Sequence, residues 1–307
     1  MAGLKAIKTK IRSMEKSRQV TRAMEAVSAV KMRKAQLRAL SGRPYAKAAA
    51  SILARVSGTY ALAHHPLVAV RPLTKALYIV ITSDKGLAGA LNSAVLRGVS
   101  ADIAGSGLAR EDVSVIAVGK KAHDFFAARG VRIEAFHPQT DEITSENIAL
   151  LVREAGQQFG AGAFDVVKIA YQNFLSTFEQ RPVIHTIFPL SLVELQKLVA
   201  DIVPVRGKFS KRASSGNGVF YNIEPSEEEV LTEILPRLAG IFVYHALLES
   251  QASEHSARMV AMKSASDKAG DLKRELTLQF NKARQAVITR EVSEITGGME
   301  ALADKAI

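Results

Sequence analysis

The first forty residues repeat apolar side chains at spacings of three and four: Leu4, Ile7, Ile11 and Met14, then through Ser17 to Val20, Met24 and Val27. That recurrence marks one face of a helix. Ala23, Ala26 and Ala29 lie beside the stripe, where small side chains let a second backbone come close. Ser41-Gly42-Arg43-Pro44 predicts a break, since proline disfavours helix at the residue before it. The pattern resumes through Ile52 and Val56. The far end repeats this character at greater length. Ser226 before Glu227, Glu228 and Glu229 is an N-cap with an acidic first turn. From Ile234 the same spacing runs through Leu238, Ile241, His245, Leu248, Ala252, His255, Met259, Met262, Ser266, Ala269, Lys273, Leu276, Phe280, Ala283 and Val287. Twelve of those sixteen positions are apolar, so they predict a coiled-coil-like seam. The stripe then slips by one residue to Ile288, Val292, Ile295, Met299 and Leu302, which predicts an irregular supercoil. Two such ends predict one antiparallel pair, with Ala301, Leu302, Ala303 and Ala306 beside Met1 to Leu4.

Between the ends the period changes. Ala76 to Ile81 is a continuous apolar run, as expected of a strand buried on both faces. The Gly-containing turn Ser83 to Gly89 follows, then a helix from about Leu91. Strands are expected at Val113 to Val118, Val131 to Phe136, Asp165 to Tyr171 and Arg181 to Leu190, and helices at Ala122 to Ala128 and Glu146 to Phe159. The alternation predicts a largely parallel sheet. Residues 206–218 are basic and rich in Gly and Ser, and read as a mobile loop. The fold class is therefore α/β: a long antiparallel coiled coil of N- and C-terminal helices plus a central Rossmann-like domain. Its expected segments are a coil helix at 1–62, the α/β domain at 73–205, a flexible loop at 206–225 and the second coil helix at 226–307.

Charge changes the picture at one end. The chain carries a formal +11, and residues 1–38 hold eleven basic side chains against only Glu15 and Glu25. Most of the net charge sits on the first helix and implies an acidic partner surface. A solvated face, a nucleic-acid contact and docking in an acidic protein sleeve are the three readings it leaves open. The absence of cysteine excludes disulfides and thiolate chemistry. No apolar run approaches the ~20 residues that cross a bilayer. With no signal-like stretch behind Met1, the expected location is the cytosol.

Candidate chemistry is sparse. The turn from Ser83 to Gly89, where an α/β nucleotide enzyme holds phosphate, has neither G-x-G-x-x-G nor a P-loop pattern. Val118-Gly119-Lys120-Lys121 has a Gly-Lys pair without the upstream glycine or following hydroxyl. The histidines are dispersed. His245 and His255 fall on the helix seam, where packing is the expected role, as it is for Met24, Met259 and Met262. An α/β enzyme with a helical arm would need a phosphate-binding or catalytic grouping that these patterns lack.

Specific strings then carry a resemblance. Met1-Ala2-Gly3, Lys8 to Ile11, Val20-Thr21-Arg22-Ala23-Met24 and Lys31-Met32-Arg33-Lys34 resemble the N-terminal helix of the bacterial gamma subunit of rotary (F-type) ATP synthase. Ile81 to Asn92 is similar to that family's first strand and turn. Most specific is Ser253 to Asp267, followed by Leu276, Asn281 to Thr289 and Glu291 to Ile295. The likeness runs the whole chain in order. Ala88 stands where many relatives carry Cys and Ala90 where many carry Gly. A chain without cysteine also lacks the regulatory dithiol of the plant chloroplast version. The family's first helix runs on through the Pro44 region, against the break read above.

The resemblance implies a central-stalk rotor. Its coiled coil turns inside a hexamer of alternating alpha and beta subunits, and the beta subunits hold the nucleotide chemistry. Its α/β domain sits with the epsilon subunit on the membrane c-ring, so that proton-driven rotation is coupled to ATP synthesis or hydrolysis. The chain itself is then no enzyme and has no catalytic residue, cofactor or metal. It binds no nucleic acid and is present once per complex, peripheral on the cytoplasmic face of the inner membrane. By similarity, the residues that touch the alpha/beta hexamer are Arg22, Met24, Lys31, Arg258, Asn281, Arg284 and Gln285.

Overall fold

The computed structural model describes residues 2–56, 62, 64–139, 144–191 and 226–303. The expected loop at 206–225 and the tip residue Ala306 lie outside the described residues. In chain order the elements are α1 (Ala2–Val56), β1 (Ala76–Ile81), α2 (Leu91–Ser106), β2 (Val113–Val118), α3 (Lys120–Ala127), β3 (Arg132–His137), α4 (Ser145–Gly160), β4 (Val166–Phe174), β5 (Gln180–Phe188) and α5 (Glu227–Ala303). The described residues form two compact units. One is Ser28–Arg258; the other joins the chain up to Val27 with the chain from Met259 onward.

The first unit is built on a five-stranded sheet in the order β3-β2-β1-β4-β5. The first four strands in that order pair parallel, and β5 returns antiparallel to β4. β1 is central and every one of its residues is buried. Its alternate side chains feed two cores. Leu77, Ile79 and Ile81 pack with α4 and with Leu231, Leu235, Leu238, Phe242 and Ala246 of α5. Ala76, Tyr78 and Val80 pack with Val95, Val99, Ala122 and Phe126 of α2 and α3. Each large apolar side chain so buried contributes about 1.5–3 kcal/mol. Within Glu229–Gly297 of α5 lies a stretch long and apolar enough to cross a bilayer, contrary to the expectation of none, and 56% of it is buried inside the chain. Its apolar residues therefore serve the core.

α1 runs unbroken past Pro44, so the predicted break is corrected. A proline's fixed φ is itself helical, and what it removes is one N–H bond and some room beside the preceding turn. The helical residues on both sides carry it. Pro236 is held inside α5 in the same way. The start of α5 follows the sequence: Ser226 Oγ accepts from Glu229 N at 3.2 Å.

The entry to the sheet is tied by one carboxylate. Asp165 Oδ2 accepts from Thr74 N (2.8 Å), Thr74 Oγ1 (2.5 Å) and Lys75 N (2.8 Å), joining the leads into β1 and β4. Burial pushes its pKa up, but the Thr74 hydroxyl, the two N–H groups and the Arg71 charge more than offset that and hold it below the usual carboxylate range. A carboxyl lowered on folding stabilises the fold above its unfolded value of about 3.9, and the contribution is lost as pH falls through the folded value. Asp165→Asn is expected to cost about 1 kcal/mol at pH 7, a figure kept small by solvent screening. In urea melts its deficit against wild type should shrink toward pH 2; a constant deficit would disprove the linkage.

In the second unit, Lys273 Nζ meets Glu15 Oε2 at 2.5 Å. A Cβ on Gly270 would lie 3.6 Å from Arg18 Nε. Three residues forward on α1 thus correspond to three back on α5, so the two helices run antiparallel. Carrying that register outward sets Leu4 opposite Arg284. It leaves α5 beyond about residue 288 without the described start of α1 across from it, so the expected pairing of Ala301 to Ala303 with Gly3 and Leu4 is corrected. Ile288, Val292, Ile295 and Met299 accordingly stand 49% to 67% exposed. Spacing had indicated one face, and stagger is a property of the pair.

Candidate functional site

In this strand order the sheet grows first to one side of β1, through β2 and β3, and then to the other, so the winding reverses between β1 and β4. The crevice outside the carboxyl ends of strands at such a point is where open α/β sheets hold ligands. Here the chain's own α5 occupies it. On one flank of the helix, Ser253 Oγ donates to Gln172 O (3.1 Å) and Ser256 Oγ to Thr177 O (2.7 Å), while Phe174 N donates to Glu249 Oε2 (3.2 Å). Glu249, Ser253 and Ser256 recur at four and three, so they share one stripe facing the end of β4 and its hairpin. About half a turn round the helix are Glu254 and Arg258. Arg258 donates from Nε and Nη2 to Gly86 O (3.4 and 3.3 Å) and from Nη2 to Lys85 O (3.5 Å). It also pairs with Glu254 Oε1 at 2.7 Å. Gln139, its amide nitrogen turned inward, donates to Thr82 O (2.7 Å) and to Glu254 Oε2 (2.9 Å). The helix is clamped from both sides. All five of its clamping residues are buried.

The turns at these strand ends are equally filled. Ser83 N donates to Asn92 Oδ1 (2.9 Å), and Asn92 Nδ2 donates to Ser83 Oγ (2.7 Å), fastening the β1 turn to α2. Leu87 and Gly89 turn the chain at φ +63° and +58°. α3 has no cap of its own, and its first N–H groups are taken by β1's neighbours: Lys120 N donates to Asp84 Oδ1 (2.8 Å) and Ala122 N to Thr82 Oγ1 (2.9 Å). This demands close approach, and Gly119 supplies it at φ +98°. The first N–H groups of α3 are thus already bonded within the chain, Lys121 N to Ser83 O (3.2 Å) included. Among the described residues no group of three His, Asp or Glu could hold a metal ion.

The seven residues carried by resemblance fare differently. Arg22, Lys31, Asn281, Arg284 and Gln285 are exposed, and Met24 is half-buried. Arg258 is buried, and its guanidinium is bonded within the chain to Gly86 O and to Glu254. By the coil register Met24 faces about Ser264, some 25 Å along α5 from Asn281. The structure therefore does not gather these residues into one site. Sequence reasoning missed Glu249, Ser253, Gln139 and Thr82. A signal existed: Glu249 to Ser256 is polar on every face of the helix, which a two-helix seam alone does not require.

Fold and site together define a class: an α/β domain whose ligand crevice has become the seat of a long helix that continues far beyond it. The family model described as ATP synthase matches residues 3–302. Across 98% of its length the chain is 40% identical to the ATP synthase gamma chain of Heliobacterium modesticaldum and 41% identical to that of Pelotomaculum thermopropionicum, covering all of both relatives. The chain belongs to the ATP synthase gamma-chain family. In the cryo-EM structure of the Euglena gracilis mitochondrial ATP synthase (OSCP/F1/c-ring, rotational state 3), one chain is similar in fold. Its TM-score is 0.67 at 20% identity, with 100% of this chain and 97% of that one covered.

Proposed function

We propose that this chain is the central-stalk rotor of a proton-translocating ATP synthase, a mechanical coupler with no catalytic site of its own. The observation that carries the reading is the two-flank clamp on α5, joined to membership of the gamma-chain family. A part that transmits torque must not slip on its own domain, and a helix bonded on opposite sides resists both rolling and sliding. In this reading α1 and the end of α5 lie within a hexamer of alpha and beta subunits. The α/β domain rests with an epsilon subunit on the c-ring, at the cytoplasmic face of the membrane. Rotation changes nucleotide affinity at the beta subunits because each orientation offers them different contacts. The exposed stripe Ile288, Val292, Ile295 and Met299 suits an apolar bearing, where no deep polar contact would hold the turning helix. Arg22, Met24, Lys31, Asn281, Arg284 and Gln285 are the proposed contacts with the hexamer.

The first test is composition. A tagged chain, recovered from gently solubilised membranes of its host, should bring with it three alpha and three beta subunits and ATPase activity. Recovery alone or with nucleic acid would overturn the rotor reading. A finer test is Met24→Lys, which adds a charge to an already basic stretch at a half-buried position. It is expected to leave ATP hydrolysis largely intact and to lower protons pumped per ATP several-fold in inverted vesicles. An unchanged ratio would remove Met24 from the coupling contact.

A further inference from the structure

We propose that the cavity between α1, α4 and α5 is a binding site for a small amphipathic carboxylate. It lies wholly within the unit Ser28–Arg258, so it does not depend on the rotor reading. Its volume of about 520 Å³ falls within the range of small-ligand sites. The floor is apolar, with Ala149 from α4 and Ile241 and Leu248 from α5. At Gly240 an added Cβ would sit 3.6 Å from Ala149 Cα, so α4 and α5 meet there and close the floor. Two guanidiniums from different elements, Arg38 of α1 and Arg237 of α5, line the same space.

That arrangement has a chemical meaning. A planar guanidinium matches a carboxylate with two parallel bonds, and an apolar floor matches an alkyl or aryl body. The ion pair of Arg237 with Glu233 (3.2 Å) joins two exposed side chains one turn apart, so redirecting Arg237 to a ligand costs little. The single carboxylate of the lining, Glu146, disfavours a dianion beside it. A monocarboxylate with an apolar body fits best.

The chain has no tryptophan, so Tyr244→Trp places a sole reporter on the cavity wall. Titration with octanoate is expected to give a saturable fluorescence change, with 1-octanol at least tenfold weaker. Arg38→Gln with Arg237→Gln should weaken octanoate at least tenfold, and Ala149→Phe should abolish the signal with far-UV circular dichroism unchanged. The protein without the reporter provides a second measurement, because a ligand of the folded state raises Tm. A rise with octanoate that the paired Arg variant loses supports the site. Equal response to octanol, binding that survives both variants, or no Tm rise at millimolar octanoate overturns it.

Discussion

Gly119→Ala is expected to lower the Tm of the α/β unit by about 10 °C or to abolish soluble expression. The reason is backbone on backbone. A Cβ at this position would lie 2.0 Å from Thr82 O and 2.6 Å from Thr82 C, neither of which can swing away as a side chain could. The left-handed φ of +98° adds strain for any L side chain. Together these should cost about 3–4 kcal/mol, at the exceptional end of single substitutions. For a unit of this size each kcal/mol moves Tm by about 2–4 °C. Tyrosine circular dichroism in the near ultraviolet is the suitable probe, because Tyr78 and Tyr171 sit in the two sheet cores and no tryptophan obscures them. A Tm within 2 °C of wild type would mean that the ends of β1 and β2 are not so closely joined.

Arg258→Ala is the second large effect, and it separates two roles for one residue. Removing the guanidinium leaves the Glu254 carboxylate buried, with the Gln139 amide to neutralise nothing. Breaking a buried pair from one side costs about 3–5 kcal/mol, whereas replacing both partners with apolar residues of similar size is often nearly neutral. Urea melts of the isolated chain should therefore show a loss of about 3 kcal/mol for Arg258→Ala and a similar loss for Glu254→Ala. Arg258→Met with Glu254→Leu should recover most of it. Should Arg258→Ala leave the isolated chain at wild-type stability while lowering activity of the assembled complex, Arg258 would be a partner contact after all.

Much of the sheet could be read residue by residue. The bounds of β1 coincide with its continuous apolar run, because a strand buried on both faces has no polar residue to blur its ends, and β2 has its expected bounds although it buries Ser114. β4 extends three residues past its expected end at Tyr171, through Gln172 and Asn173, which are polar yet buried. The antiparallel ladder with β5 carries the strand through Phe174 and α5 bonds Gln172 across the strand end, and a strand's own pattern carries no trace of a helix some eighty residues later. The same blindness explains α5 itself. The stripe at 3–4 spacing was legible, but from Leu231 to Leu247 it faces the sheet, while Met262 and Ala269 are buried in the unit it shares with the start of α1. Periodicity reports that a face is covered and is silent on what covers it. Arg258 shows the limit for sites. A charged residue in a family-specific string reads as a partner contact, and the string carries no sign of the bonds it makes to the chain's own turn at Lys85 and Gly86.

The closing of the crevice by α5 also dictates an order of events during synthesis. The strands that bury Leu77, Ile79, Ile81 and Tyr171 leave the ribosome before the helix that covers them. The partner of the first 27 residues begins only at Met259. At 5–20 residues per second, the basic first helix waits on the order of 10–50 s for it. A nascent chain stalled before α5 should thus be held by chaperones and be readily cut by protease, and translation of α5 itself, from Glu227 onward, should release it.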